Sequence, residues 1–103
     1  MPKKIMFKKK PKLLTLSGQL IGLGVPVSGV WVVAAGDNGY DMTTQVDQSG
    51  NYAFRGITPG DNIWVQFTTT WIGGFVRYMP NSFFSISNIQ QDTVAPLIRV
   101  MRL

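Results

Sequence analysis

The chain has 103 residues, 45% of them hydrophobic, with no cysteine, no histidine and a formal charge of +5. This length supports one domain around a single core, and the missing cysteines exclude a disulfide framework and a thiolate metal centre. With glutamate also absent, only aspartate is left in the body of the chain as a base, so no enzymatic activity and no cofactor are expected.

The first element is a basic arm over residues 1–12, followed by a domain over residues 13–103. All six lysines, Lys3, Lys4, Lys8, Lys9, Lys10 and Lys12, lie in the arm with no acid among them. Beyond it four arginines face five aspartates, so the arm carries the whole positive balance. An isolated segment of this kind, with Pro2 and Pro11, has little to bury against the entropy of ordering. Ile5, Met6, Phe7 and Leu13 give it apolar anchors once a partner neutralises the lysines. Nucleic acid is one possible partner, through phosphate neutralisation, but the body has no basic stripe or recognition motif, so no sequence-specific binding is expected. An acidic protein surface suits the arm equally well.

Thr15, Ser17, Gly18 and Gln19 interrupt the apolar run after Pro11, so no secretion signal is expected. The longest apolar run, Val30 to Ala35, is far short of the ~20 residues of a membrane-spanning helix.

Strands fit the rest better than helices. Leu14, Leu16 and Leu20 alternate with Thr15, Ser17 and Gln19, the period-two pattern of a strand with one buried face. Val27 to Ala35 reads as a second, more continuously apolar strand, ended by the turn Gly36-Asp37-Asn38-Gly39. Tyr40, Met42, Thr44 and Val46 share one face of a third strand, and Tyr52 and Phe54 one face of a fourth. Thr58-Pro59-Gly60-Asp61 suits a type II turn. Ile63, Val65 and Phe67 form the inward face of a fifth strand, Phe75 to Met79 a sixth, Phe83 to Ile89 an irregular one, and Val94 to Leu103 the last, with Pro96 near its start. The expected fold is all-β: an antiparallel Greek-key sandwich of about seven strands.

Residues 16–67 resemble the carboxypeptidase regulatory-like and Cna-B-like group of transthyretin-type, Ig-like sandwiches. The resemblance is carried by Leu16-Ser17-Gly18-Gln19-Leu20, Val27-Ser28-Gly29-Val30-Trp31-Val32, Asp47 to Phe54 and Ile57-Thr58-Pro59-Gly60. It departs after Gly60, where the family usually has an aromatic two residues on and this chain has Asn62. Some Cna-B-type relatives hold a Lys-Asn isopeptide bond. Here only Lys12 stands near a first strand and no asparagine follows Asn88, so none is expected. The group includes spacers, adhesins, enzyme appendages and virion ornaments, so the resemblance implies a fold rather than a task.

If Val30, Val32, Ile63 and Val65 face the core, Trp31 and Trp64 face outward, with Val33 and Trp71. A one-residue slip in register would instead bury the indoles. Outward indoles suit a protein contact, or a sugar face on which flat rings stack. Asp37, Asn38 and Asp41 match no dedicated calcium loop and read as an Asx-rich turn, so no metal site is expected. The partner-binding candidates are therefore Lys3, Lys4, Phe7, Lys8, Lys9, Lys10, Lys12, Trp31, Trp64 and Trp71. The expected role is an accessory structural protein docked on a larger assembly through its arm and aromatic face. A phage or viral particle (capsid, tail or decoration component) comes first, with the virion as its location. The alternative is a cell-surface adhesion or carbohydrate-binding module. A cytoplasmic nucleic-acid accessory is a third reading.

Overall fold

A computed structural model describes residues 12–68, 70–71 and 74–103. The strands are β1 (Leu14–Leu23), β2 (Trp31–Gly36), β3 (Asp41–Gln45), β4 (Asn51–Ile57), β5 (Ile63–Phe67), β6 (Thr70–Trp71), β7 (Gly74–Met79), β8 (Phe83–Ile86), β9 (Thr93–Val94) and β10 (Ile98–Arg102). Sheet one has the order β4-β1-β10-β7-β6, with β9 also paired to β1, and sheet two the order β3-β2-β5-β8. The architecture is the expected all-β sandwich. Every connection except β2–β3, β6–β7 and β9–β10 passes from one sheet to the other.

Six of the eight strand pairs are antiparallel; β1 pairs in parallel with both β9 and β10. The expected last strand divides because Pro96 has no N–H for the ladder. Its two parts share β1, with Ser17 opposite Val94 and Leu20 opposite Ile98. β2 starts at Trp31 rather than Val27. Gly29, at φ 86°, turns the chain, and the Val30 amide donates to the Val27 carbonyl at 3.3 Å. Val27 and Val30 are still buried, so the residues anticipated inside a strand reach the core from a loop.

The core is where alternation placed it. Leu14, Leu16 and Leu20 from β1, Tyr52, Phe54 and Ile57 from β4, and Ile98 and Val100 from β10 line sheet one's inner face. Val32, Ala34, Ile63, Val65 and Phe67 line that of sheet two. β3 departs from the pattern: Met42, expected inward, is 48% exposed, because an edge strand overhangs the partner sheet. Tyr40 precedes β3 and ties the sheets together through its hydroxyl, which donates to the Arg55 carbonyl at 2.6 Å.

Asn62 has a structural duty where the family pattern has an aromatic. Its Nδ2 donates to Asp37 Oδ2 at 2.7 Å, and its Oδ1 accepts the Asn88 amide at 2.8 Å. One amide side chain thus joins three loops at one end of the sandwich.

Two core tyrosines couple the fold to alkaline pH. Burial of the phenol pushes Tyr78 up to about 12, and burial likewise raises Tyr52. An unfolded tyrosine ionises near pH ~10, so above that pH the unfolded chain sheds protons that the native chain retains, and stability falls as pH rises. The urea midpoint is expected to be flat below pH ~10 and to decline above it, with Tyr78→Phe flattening the decline. Measuring urea midpoints with tyrosinate absorbance checks this; a midpoint indifferent to alkali would contradict it.

Candidate functional site

The registers of sheet two settle where the indoles point. Trp31 lies opposite Gln45, Val33 opposite Thr43 and Gln66, Ala35 opposite Asp41 and Trp64, Gln66 opposite Phe83, and Trp64 opposite Ser85. Because paired residues share a face, these side chains form one outer surface. Trp31 is 49% and Trp64 50% exposed, and Phe83 reaches 62%. The indoles therefore stand outside the core, four positions apart along the strand and one strand over, a separation of about 14 Å at ordinary sheet spacings. Val33 sits between them, and amides and hydroxyls fill the remaining positions. Among the described residues Asp41 is the one charge on this surface, at its β3 margin.

Phe83 was not anticipated as part of this face. Phe83 and Phe84 are adjacent aromatics, and only the pairing with Gln66 and Val65 shows which of them turns outward. The face on the other side of the sandwich was missed altogether. Ile21 lies opposite Arg99, which lies opposite Met79, while Leu23 lies opposite Met101, which lies opposite Arg77. Ile21, Leu23, Met79 and Phe75 are all exposed. Over β7, β10 and the end of β1, the outer face of sheet one is thus an apolar field around two guanidinium groups, with Arg55 farther off on β4. Its only sequence signal is the alternation of Ile98 and Val100 with Arg99 and Met101.

Charge divides the same way. Arg55, Arg77, Arg99 and Arg102 all lie on strands of sheet one, whereas Asp37, Asp41 and Asp61 lie on β3 or on loops that adjoin sheet two. Asp47 caps its own turn, with Oδ1 accepting the Ser49 and Asn51 amides at 2.9 and 2.8 Å. Asp92 accepts the Thr15 amide at 2.9 Å. Asp37 is engaged by Asn62 across the loops. Among the described residues no group of three His, Cys, Asp or Glu side chains is arranged to hold a metal.

An open groove of about 770 Å³ runs beside β1 and β4, lined by Gln19, Asn51, Arg55 and Asp47 among others. It has no nucleophile and base in hydrogen-bond contact. Lys12, exposed, begins the described chain and lines a shallower depression with Leu14, Pro59 and Asp92. Lys3, Lys4, Phe7, Lys8, Lys9 and Lys10 lie outside the described residues. Trp71 pairs with Gly74 through its backbone, and its side chain is likewise outside the description.

No protein-family model matches the sequence, and no curated protein resembles it. Solved structures do resemble the fold. A pilus-presented adhesin, Spy0125 (Cpa), is similar over 89% of this chain and 27% of its own, with a TM-score of 0.54 and 14% identity. A bacterial adhesin from Mobiluncus mulieris that contains intramolecular disulfide, isopeptide and ester cross-links is similar over 90% of this chain and 41% of its own, with a TM-score of 0.51 and 13% identity. This chain therefore spans about a quarter of the first protein's chain and two fifths of the second's. At these identities the likeness establishes the architecture: the sandwich is of the kind found in these adhesins, in keeping with the Cna-B-like side of the resemblance.

Proposed function

We propose that this chain is a non-enzymatic adhesion module of a cell-surface or extracellular protein, with the outer face of sheet two as its contact surface. One observation carries the reading: two half-exposed indoles and Phe83 share one sheet face with no cation among its described residues. Large aromatics left on a sheet face are costly unless covered, and tryptophan concentrates contact energy when it is buried at an interface. The fold shared with a pilus-presented adhesin and a second bacterial adhesin supports a surface setting. The particle component expected from the small stand-alone sandwich, its basic arm and its aromatic face gains nothing from either likeness; both fit the cell-surface reading better. Absence of histidine, cysteine and glutamate supports a binding role rather than a catalytic one.

The test is retention of beads coated with the full chain on cell monolayers, on insoluble polysaccharide and on a surface coated with the chain itself. Trp31→Ala/Trp64→Ala is expected to lower retention at least tenfold while leaving the urea midpoint nearly unchanged, because neither indole packs in the core. Retention equal to that of the parent chain on every surface would remove the indole face from the proposal.

A further inference from the structure

We infer that the occupant of the indole face is a second copy of this chain, seated through the outer face of its sheet one. The inference rests on the reading of Trp31 and Trp64 as a contact surface and supplies the partner. Each copy presents two unlike flat faces on opposite sides of one sandwich. On sheet two, Trp31, Val33, Trp64 and Phe83 offer apolar area and π-electron faces, with Asp41 as the only charge among the described residues of that face. On sheet one, Ile21, Leu23, Met79 and Met101 offer apolar area around Arg77 and Arg99, with no acid among the described residues of that face.

Complementarity selects the pairing. Two copies joined through their sheet-one faces would bring four guanidinium groups together. Joined through their sheet-two faces, they would cover the indoles and leave both sheet-one faces in water. Seating sheet one of one copy on sheet two of the next covers both kinds of apolar surface. It also brings the arginines to the side that carries the indoles, where a guanidinium group can stack on a ring in a favourable cation–π arrangement. The chain's own arm is a poor occupant for the sheet-one face, because its lysines and Arg77 and Arg99 have the same sign.

Such a contact is head-to-tail, so it does not close on itself and adds copies in a row. Four strands by five residues cover a plan area of about 19 by 17 Å. That is below the ~800 Å² per partner of a standard stable interface. Association is therefore weak, suited to many copies held together on one surface, and a solution test needs high protein concentration.

Sedimentation equilibrium on the full chain and two surface variants decides the matter. The parent chain is expected to show an average mass that climbs with concentration past that of a dimer. Arg77→Glu/Arg99→Glu, which spoils only the sheet-one face, and Trp31→Ala/Trp64→Ala, which spoils only the sheet-two face, are each expected to stay monomeric. Mixed in equal amounts they are expected to form a one-to-one dimer and stop there, because one intact pair of faces remains. Arg77→Gln/Arg99→Gln retains the aliphatic stems and is expected to fall between parent and Glu variant; it also serves if the Glu pair lowers the urea midpoint.

A parent chain monomeric at millimolar concentration, a mixture that stays monomeric, or a Glu variant that dimerises alone would each overturn the inference. Tryptophan-dependent bead retention without self-association would leave the contact-surface reading intact and discard only the partner.

Discussion

Phe67→Ala is expected to lower the unfolding free energy by about 4 kcal/mol, within the range for removing a buried aromatic side chain. Phe67 is 1% exposed and lies on β5 of sheet two. Its ring meets Tyr52 edge-on at 5.6 Å and stacks on Tyr78 at 5.3 Å, both from sheet one. Phe84, from β8 of its own sheet, lies tilted at 6.1 Å. One ring thus joins the two layers, and three aromatics with their own neighbours cannot all move in to fill the space it leaves. A domain of this size has about 5–15 kcal/mol in total, so the loss would leave the variant near the edge of folding. Urea unfolding measures it: the midpoint is expected to drop with little change in slope. Phe67→Leu retains more of the volume and is expected to cost less than about half as much. A loss under about 1 kcal/mol for the alanine variant would mean that the ring is not the hinge of the core.

Phe67 also shows why much of the core was legible in the sequence. Ile63, Val65 and Phe67 alternate with Trp64 and Gln66, and a strand gives its two faces to alternate residues. The inward set of β5 follows from that periodicity, whereas the outward position of Trp31, in a run of apolar residues without alternation, needed the pairing of β2 with β3 and β5 to exclude a one-residue slip. The reading failed where structure depends on partners distant along the chain. Val27 and Val30 are apolar and look continuous with β2, yet Ser28 and Gly29 turn there and pair with the residue just past β3, the Gly29 amide donating to the Val46 carbonyl at 3.0 Å and the Val46 amide to the Val30 carbonyl at 2.9 Å. The parallel docking of β10 on β1 has no local signature, since the two strands are separated by most of the chain. The whole sheet-one face was invisible for that reason: Arg99 and Met101 acquire meaning only when Ile21, Leu23, Met79 and Arg77 are placed beside them. The arm stood out by composition alone, since six lysines and no acid in twelve residues need no partner to be seen.

Gly18→Ala is expected to cost about 3 kcal/mol, the upper end of the usual range for overpacking a core, and the reason is a single ring. Gly18 pairs with Tyr52 across β1 and β4. A Cβ at position 18 would stand 2.2 Å from the Tyr52 hydroxyl oxygen, 2.4 Å from Cζ and 2.8 Å from Cε2. The ring occupies the space a side chain would take, and it is held by edge contacts to Phe54 at 6.0 Å and to Phe67. Tyr52 is 4% exposed, and its hydroxyl finds no hydrogen-bond partner among the described residues. Tyr52→Phe alone is therefore expected to stabilise the domain by about 1 kcal/mol, since it removes a buried hydroxyl that makes no bond. The same change should not rescue Gly18→Ala, because Cζ and Cε2 of the ring still collide with the new methyl. Tyr52→Leu lacks both atoms, so it should cost about 2 kcal/mol in the parent chain and less in the Gly18→Ala background. A double-mutant cycle with a coupling of at least 1 kcal/mol is the expected result. Strict additivity would show that the strand, not the ring, yields to the added methyl.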